Sequence, residues 1–153
     1  MRRKDKKITS PQEIKEILTM NDVCRIATCR NNIPYITVLN YGYSANSLYF
    51  HCANEGKKID FIESNNHVCF EITDSIEIVS GEMACNFGTR YRSVIGEGKI
   101  IKITDIKEKA FALKVIMHQI TGKTSWKFYK SMIEKVTVLK LEIESLSGKK
   151  SGV

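Results

Sequence analysis

Two adjacent lysines, Lys57 and Lys58, follow a single glycine where an apolar strand pattern gives way to a helical one. The stretch Tyr49-Phe50-His51-Cys52-Ala53-Asn54-Glu55-Gly56-Lys57-Lys58-Ile59-Asp60 reads as a strand, a short loop and a helix start. The first turn of a helix presents unpaired N–H groups and the positive end of the dipole, so lysines there are locally unfavourable. They become favourable when an anion sits among them, because N–H groups, dipole and ammonium groups then point at one negative charge. The competing reading is a pair of solvated surface lysines, and this segment alone leaves the two level. A Walker A loop is excluded: the position five residues before Gly56 is His51, and Lys58 and Ile59 leave no Ser or Thr for magnesium.

Other reactive side chains carry weaker signals. His51, Cys52, His67 and Cys69 suggest a metal site, but His51 and Cys52 are neighbours on a strand and point to opposite faces, and no C-x-x-C pair exists. Cys24, Cys29, Cys52, Cys69 and Cys85 are odd in number and loosely spaced, and no hydrophobic segment follows the basic N-terminus. They read as reduced thiols of a cytoplasmic protein.

The elements that must hold these residues follow from pattern and punctuation. Ser10-Pro11-Gln12-Glu13 is a helix start with Ser10 as cap, and the helix runs to about Met20. Strands follow at Asp22–Arg30, Pro34–Tyr43 and Ser47–Cys52, with turns at Asn31-Asn32 and Ser44-Ala45-Asn46. Residues 31–54 contain no Asp, Glu, Lys or Arg, yet Pro34, Gly42 and the many Asn and Ser residues rule out a membrane-spanning helix; two strands buried on both faces fit instead. The lysine-led helix extends to about Asn65, and Val68–Thr73 alternates as a half-buried strand. Ile76–Val79 reads as a strand and Gly81–Gly88 as a loop. In the strand Tyr91–Ile103, Gly96 and Gly98 lie two apart on one face and mark a bulge, or a close approach by backbone or a flat ligand. Asp105 caps a helix whose stripe is Ile106, Ala110, Leu113, Met117 and Ile120; a short helix over Ser125–Glu134 and a strand over Val136–Ser145 complete the chain. Hairpins dominate over alternating β-α units, which predicts a mainly β fold: an antiparallel barrel of six or seven strands with peripheral helices.

Charge locates what the fold leaves outside. Of a net +7, residues 1–7 carry +4 and Lys149 and Lys150 add +2, leaving about +1 for the body. The expected organisation is a basic tail over 1–9, one domain over 10–148 and a C-terminal tail over 149–153. A body so nearly neutral offers nucleic acid no strong basic surface.

The order of these motifs resembles the FMN-binding split-barrel family, whose best-known member is pyridoxamine 5′-phosphate oxidase. His51-Cys52-Ala53 and Gly56-Lys57-Lys58 stand, with identical spacing, where that oxidase has Tyr-Thr-Asn and the Ser-Arg-Lys that grips the FMN phosphate. Tyr-Phe-His ending at His51, Gly81-Glu82-Met83-Ala84-Cys85, Tyr91-Arg92-Ser93-Val94 and Gly148-Lys149-Lys150 are similar to the nitroimidazole-resistance-like subgroup. The resemblance covers about Ser10 to Lys149. It implies an FMN-binding homodimer with cofactor at the interface. Val38, Leu39 and Asn40 would run along the flavin ring, His51 and Cys52 would lie beside it, and Lys57 and Lys58 would hold the phosphate. Arg92 and Ser93 would reach in from the partner subunit. His51 would orient a substrate, deliver a proton, or merely pack against the cofactor. The implied activity is reduction of a small electron-poor substrate, with NAD(P)H bound only transiently since no Rossmann fingerprint is present; a non-enzymatic sensor or carrier is the alternative. The oxidase's C-terminal substrate segment has no counterpart, so its own activity is not implied. Gly56-Lys57 in place of Ser-Arg keeps charge and loses the bidentate fork. Cys85 reads as a buried small hydrophobe, and Trp126 and Tyr129 either wall the site's mouth or anchor the last helix.

Overall fold

A computed structural model describes residues 3–152. The strands are β1 (Lys7–Ile8), β2 (Val23–Arg30), β3 (Ile33–Asn40), β4 (Gly42–Ser44), β5 (Ser47–Cys52), β6 (His67–Val79), β7 (Gly88–Ile103) and β8 (Thr137–Ser151). The helices are α1 (Pro11–Met20), α2 (Lys57–Ser64), α3 (Ile106–Thr121) and α4 (Lys130–Glu134). The strands form one antiparallel sheet in the order β3-β2-β6-β7-β8-β5-β4, with β1 added along β8. Its two end strands, β3 and β4, are separated in sequence by Tyr41 alone, so the sheet curls back on itself as a barrel.

Local chemistry sets the corners. Asn31 and Asn32 (φ 52° and 63°), and Ala45 and Asn46 (φ 47° and 57°), make two-residue turns whose twist suits the flanking strands. Tyr41 is fully buried and its hydroxyl donates to the Leu18 carbonyl at 2.8 Å, tying the barrel's closing corner to α1. Inward positions of β5, β6, β7 and β8 (Phe50, Phe70, Ile72, Val94, Leu139 and Leu141) pack with Ile17 and Leu18 of α1 into the main core. The β7·β8 register shifts between Glu97 and Gly98, the bulge expected of the paired glycines. The Phe70 ring approaches Gly96, and the Glu142 carbonyl approaches Gly98.

α3 is capped by Asp105, whose carboxylate accepts from the N–H groups of Lys107 and Glu108, both at 2.9 Å. It crosses β4 at Gly42, where an added Cβ would lie 2.6 Å from the Ile116 nitrogen. That close approach fixes which face is buried. Ala112 and Ile116 meet Tyr49, Ile103 and Val138, while the expected stripe lies beside this line and its last member, Ile120, is exposed.

Several boundaries differ from expectation. The strands foreseen at 68–73 and 76–79 are one strand, β6, interrupted between Asp74 and Glu77 where Ser75 takes φ 57°. β7 starts at Gly88, and β8 continues to Ser151 because β7 and β1 pair with its far half. Where they are described, the expected tails are paired: Lys7 and Ile8 pair with Lys149 and Gly148, and Ile8 is buried in the core, while residues 1, 2 and 153 lie outside the described residues. Helix over 125–134 is confined to Lys130–Glu134. Strand 34–43 breaks at Tyr41 into β3 and β4, and with the added β1 the described strands number eight. The charge-free hairpin is buried on both faces only in β5; on β3, Ile36 and Val38 are 64% and 61% exposed because no described residue covers that face. Cys85 is exposed on the 84–86 turn, outside the core. No helix among the described residues is long and apolar enough to cross a membrane.

Candidate functional site

The end of β5, the link 53–56 and the start of α2 form one braced unit. Asn54 holds the link: its Nδ2 donates to the Lys135 carbonyl at 3.0 Å, and its Oδ1 accepts from the Thr137 hydroxyl at 2.7 Å. Gly56 caps α2 with φ +118°, a conformation that suits glycine, and nothing lies within 4 Å of where its Cβ would stand. α1 and α3 are closed by the side chains of Ser10 and Asp105, whereas α2 has no side-chain cap. The N–H groups of Lys57 and Lys58 have no partner among the described residues. An uncapped, open helix start therefore faces outward with two lysines on it.

The lysines do different things. The Lys57 ammonium lies 4.7 Å from the Tyr35 ring centroid and 5.5 Å from that of Phe61, so it rests on an aromatic pair that joins α2 to β3. Lys58 is half-buried and acts on Cys52. Burial pushes the Cys52 thiol above its ordinary value, and the charges of Lys58 and Lys102 pull the other way. Lys102 is the member that sequence reasoning missed. It follows Gly96, Gly98 and Ile100 on the same face of β7 and pairs with Leu139, which also pairs with Phe50. A cation on the inward register at a strand's end was the available signal.

His51 and Cys52 face opposite sides of β5, His51 exposed and Cys52 packed against the core. On the His51 and Tyr49 face, a cavity of about 370 Å³ is lined by Tyr49, Lys102, Ile103, Glu108, Phe111 and Lys140. On β3, Leu39 turns toward the core, Val38 is exposed, and Asn40 donates to the Asp22 carbonyl at 3.1 Å. Between Tyr35 and Leu39, the buried hydroxyl of Thr37 has no hydrogen-bond partner among the described residues, an unmet polar group on the β3 wall.

Arg92 and Ser93 are elsewhere in the chain. Val138 pairs with both His51 and Ile103, which puts Ile103 level with His51, and Arg92 stands eleven residues back along β7. At about 3.3 Å per residue that is roughly 35 Å. The Arg92 guanidinium is held by Asp74 (Nε at 2.9 Å, and through Nη2) and by Glu16 at 3.8 Å. Ser93 is buried opposite Thr73. The structure thus brings β3, His51, Cys52, Lys57 and Lys58 to one end of the barrel, adds Lys102 and Thr37, and leaves Arg92 and Ser93 at the other.

The family model described as pyridoxamine 5′-phosphate oxidase matches residues 10–150. Among solved structures, a protein from Bacteroides thetaiotaomicron VPI-5482, named as a candidate 5-nitroimidazole antibiotic resistance protein, is 29% identical with a TM-score of 0.84. That similarity covers 94% of this chain and 86% of that one. A FAD-binding protein from Mesorhizobium loti (24% identical, TM-score 0.69, covering 94% and 96%) shares the fold. So does the flavocytochrome Anf3 from Azotobacter vinelandii (20%, TM-score 0.85, covering 100% and 72%). An uncharacterised protein of Rhizobium meliloti (strain 1021) is 35% identical over 69 residues, a match spanning 44% of either chain.

Proposed function

The chain belongs to the pyridoxamine 5′-phosphate oxidase-like family, and from that premise we propose that it is an FMN-binding flavoprotein that reduces a small electron-poor substrate. The observation that carries this reading is the start of α2. An FMN phosphate is a dianion, and the uncapped turn at Gly56 offers it open N–H groups, an unobstructed approach and the ammonium groups of Lys57 and Lys58. Lys102 adds a third positive charge at the same end of the barrel. The charge-free β3 edge, with the unmet Thr37 hydroxyl, suits a flat apolar ring that carries polar atoms at its rim.

Held by Lys57, Lys58 and the β3 wall, FMN would supply two-electron transfer between a donor, such as a nicotinamide nucleotide, and the acceptor. The chain's residues bind, orient and shield. His51 is exposed on the same face of β5 as Tyr49, which lines the 370 Å³ cavity; in this reading it orients the acceptor, supplies a proton or packs against the cofactor. A second copy of the chain completes the site in this reading. Ile36 and Val38 on β3, and Ile76, Ile78, Met83 and Phe87 on and beyond the outer part of the β6–β7 hairpin, are exposed large apolar side chains. Arg92 and Ser93 lie too far along β7 to reach their own α2. A two-fold partner would cover the first set and bring the second to the flavin. A non-enzymatic flavin carrier remains the alternative and has the same binding site.

Anaerobic reduction of the purified protein by NAD(P)H or dithionite, followed by a nitroaromatic acceptor, tests the enzymatic reading. The flavin band should bleach and then return. A flavin that stays reduced in the presence of every acceptor tried supports the carrier instead.

A further inference from the structure

The summed charge of the body hides a strong asymmetry. Residues 106–135 carry seven lysines, two glutamates and no arginine or aspartate, a net of +5, so the rest of the body is acidic. Within this stretch a cavity of about 570 Å³ is lined by Lys114, Thr124, Ser125, Trp126 and Lys127. Lys114 and Thr124 also line a second cavity of about 290 Å³, which continues past Phe111 and His118 to Tyr43 and Ser44. The two make one groove along the outer side of α3. Neither contains a carboxylate, and Lys114, Lys123 and Lys127 form no ion pair with any described residue. The Lys123 ammonium stands 5.9 Å from the centroid of the Trp126 ring. The indole N–H of Trp126 is itself buried without an acceptor among the described residues.

We propose that this groove is a binding site for a phosphorylated nucleotide, distinct from the α2 helix start. Unpaired ammonium groups gathered with hydroxyls and no acid repel one another unless an anion lies among them, and phosphate meets that donor set. Trp126 lines one cavity and Phe111 and Tyr43 the other, and aromatic side chains in the lining suit a flat base, which a bare phosphate ion lacks. At its other end Phe111 meets Tyr49 edge-on, with ring centroids 5.8 Å apart. His51 follows Tyr49 on the same face of β5, about 7 Å further along. A nucleotide held here therefore extends toward the site above. Two sources share this chemistry: a free adenine nucleotide, and the adenylate half of a nicotinamide dinucleotide serving as electron donor. The second rests on the function proposed above; the phosphate groove does not.

Trp126 is the chain's only tryptophan, so its fluorescence reports on this groove. Purified protein is titrated with ADP, NADP⁺ and inorganic phosphate. ADP and NADP⁺ should change the emission saturably, and more strongly than phosphate at equal concentration. The dinucleotide should bind at least tenfold more tightly than ADP if it is the natural source, and no more tightly if a free nucleotide is. Lys114→Glu with Lys127→Glu should weaken binding at least tenfold, while Lys107→Glu, exposed and outside the groove, should not. If the double charge reversal fails to fold, Lys114→Gln with Lys127→Gln should weaken binding and flatten its salt dependence. A Lys57→Ala, Lys58→Ala chain that no longer takes up FMN should still bind ADP here, which separates the two readings. No saturable change, equal response to phosphate and ADP, or undiminished binding in both double variants overturns the proposal.

Discussion

Lys58→Ala has two consequences of opposite sign, and together they isolate the anion site. Without ligand, Lys58 places a positive charge at the positive end of α2, beside Lys57. An unfavourable charge at a helix terminus costs about 0.3–1 kcal/mol, so its removal should leave the apo chain as stable or slightly more stable. With FMN bound, the same ammonium makes a charge-assisted contact to phosphate worth about 1.5–3 kcal/mol, so affinity should fall about 10- to 150-fold. Lys57 should matter less. To reach the phosphate it must leave the Tyr35 and Phe61 rings, a stack worth about 0.5–1 kcal/mol, and its loss should cost roughly two- to fivefold less affinity than that of Lys58. Lys57→Ala should also lower apo stability slightly, where Lys58→Ala does not. Flavin fluorescence titration of apo-protein gives the affinities, and thermal unfolding of the same samples gives the stabilities. Unchanged FMN binding in the Lys57→Ala, Lys58→Ala double variant would refute the argument outright. Equal losses of apo stability in the two single variants would show that the lysines are ordinary surface groups.

Three further outcomes follow from the packing. Gly42→Ala forces a Cβ against the Ile116 and Val115 backbone, which cannot yield without moving α3, and should cost about 1–3 kcal/mol by calorimetry; an unchanged unfolding temperature would mean that α3 is loosely held. Tyr41→Phe removes one of two donors to the Leu18 carbonyl, which keeps Gln119 Nε2 at 2.9 Å, and should cost about 0.5–1.5 kcal/mol in denaturant unfolding, with an unaltered midpoint as the contrary result. Burial holds the Cys24 thiol up at about 12, against an ordinary value of 9.0. The folded chain keeps a proton there that the unfolded chain loses, so stability should be full below about pH 9 and fall as pH rises toward 12, and Cys24→Ala should lessen that fall.

What the sequence made legible divides along physical lines. Caps and turns were readable because they are local: Ser10, Asp105, Asn31-Asn32 and Ala45-Asn46 act through neighbours in the chain. The alternation of Leu139, Leu141 and Ile143 announced a buried face for the same reason. Boundaries set by distant pairing were not readable. Nothing within Leu146–Ser151 requires strand; β7 and β1 impose it from both sides. α3 shows the same limit, since Gly42 on another element chooses Ala112 and Ile116 over the more hydrophobic stripe beside them. At the candidate site, the Gly56-Lys57-Lys58 signal was local and stood out, whereas Lys102 joins it only through the barrel's curvature. The groove along α3 was obscured for another reason. Summing charge over the whole body cancelled the +5 of residues 106–135 against acids placed elsewhere.

The central claim is that the open start of α2 holds the phosphate of a flavin. The most direct measurement is the flavin content of the purified chain, identified by chromatography after extraction, followed by reconstitution of the stripped protein. The account predicts FMN at one per chain, restored on reconstitution and lost when Lys57 and Lys58 are both replaced by alanine. Colourless protein that takes up neither FMN nor FAD would contradict it.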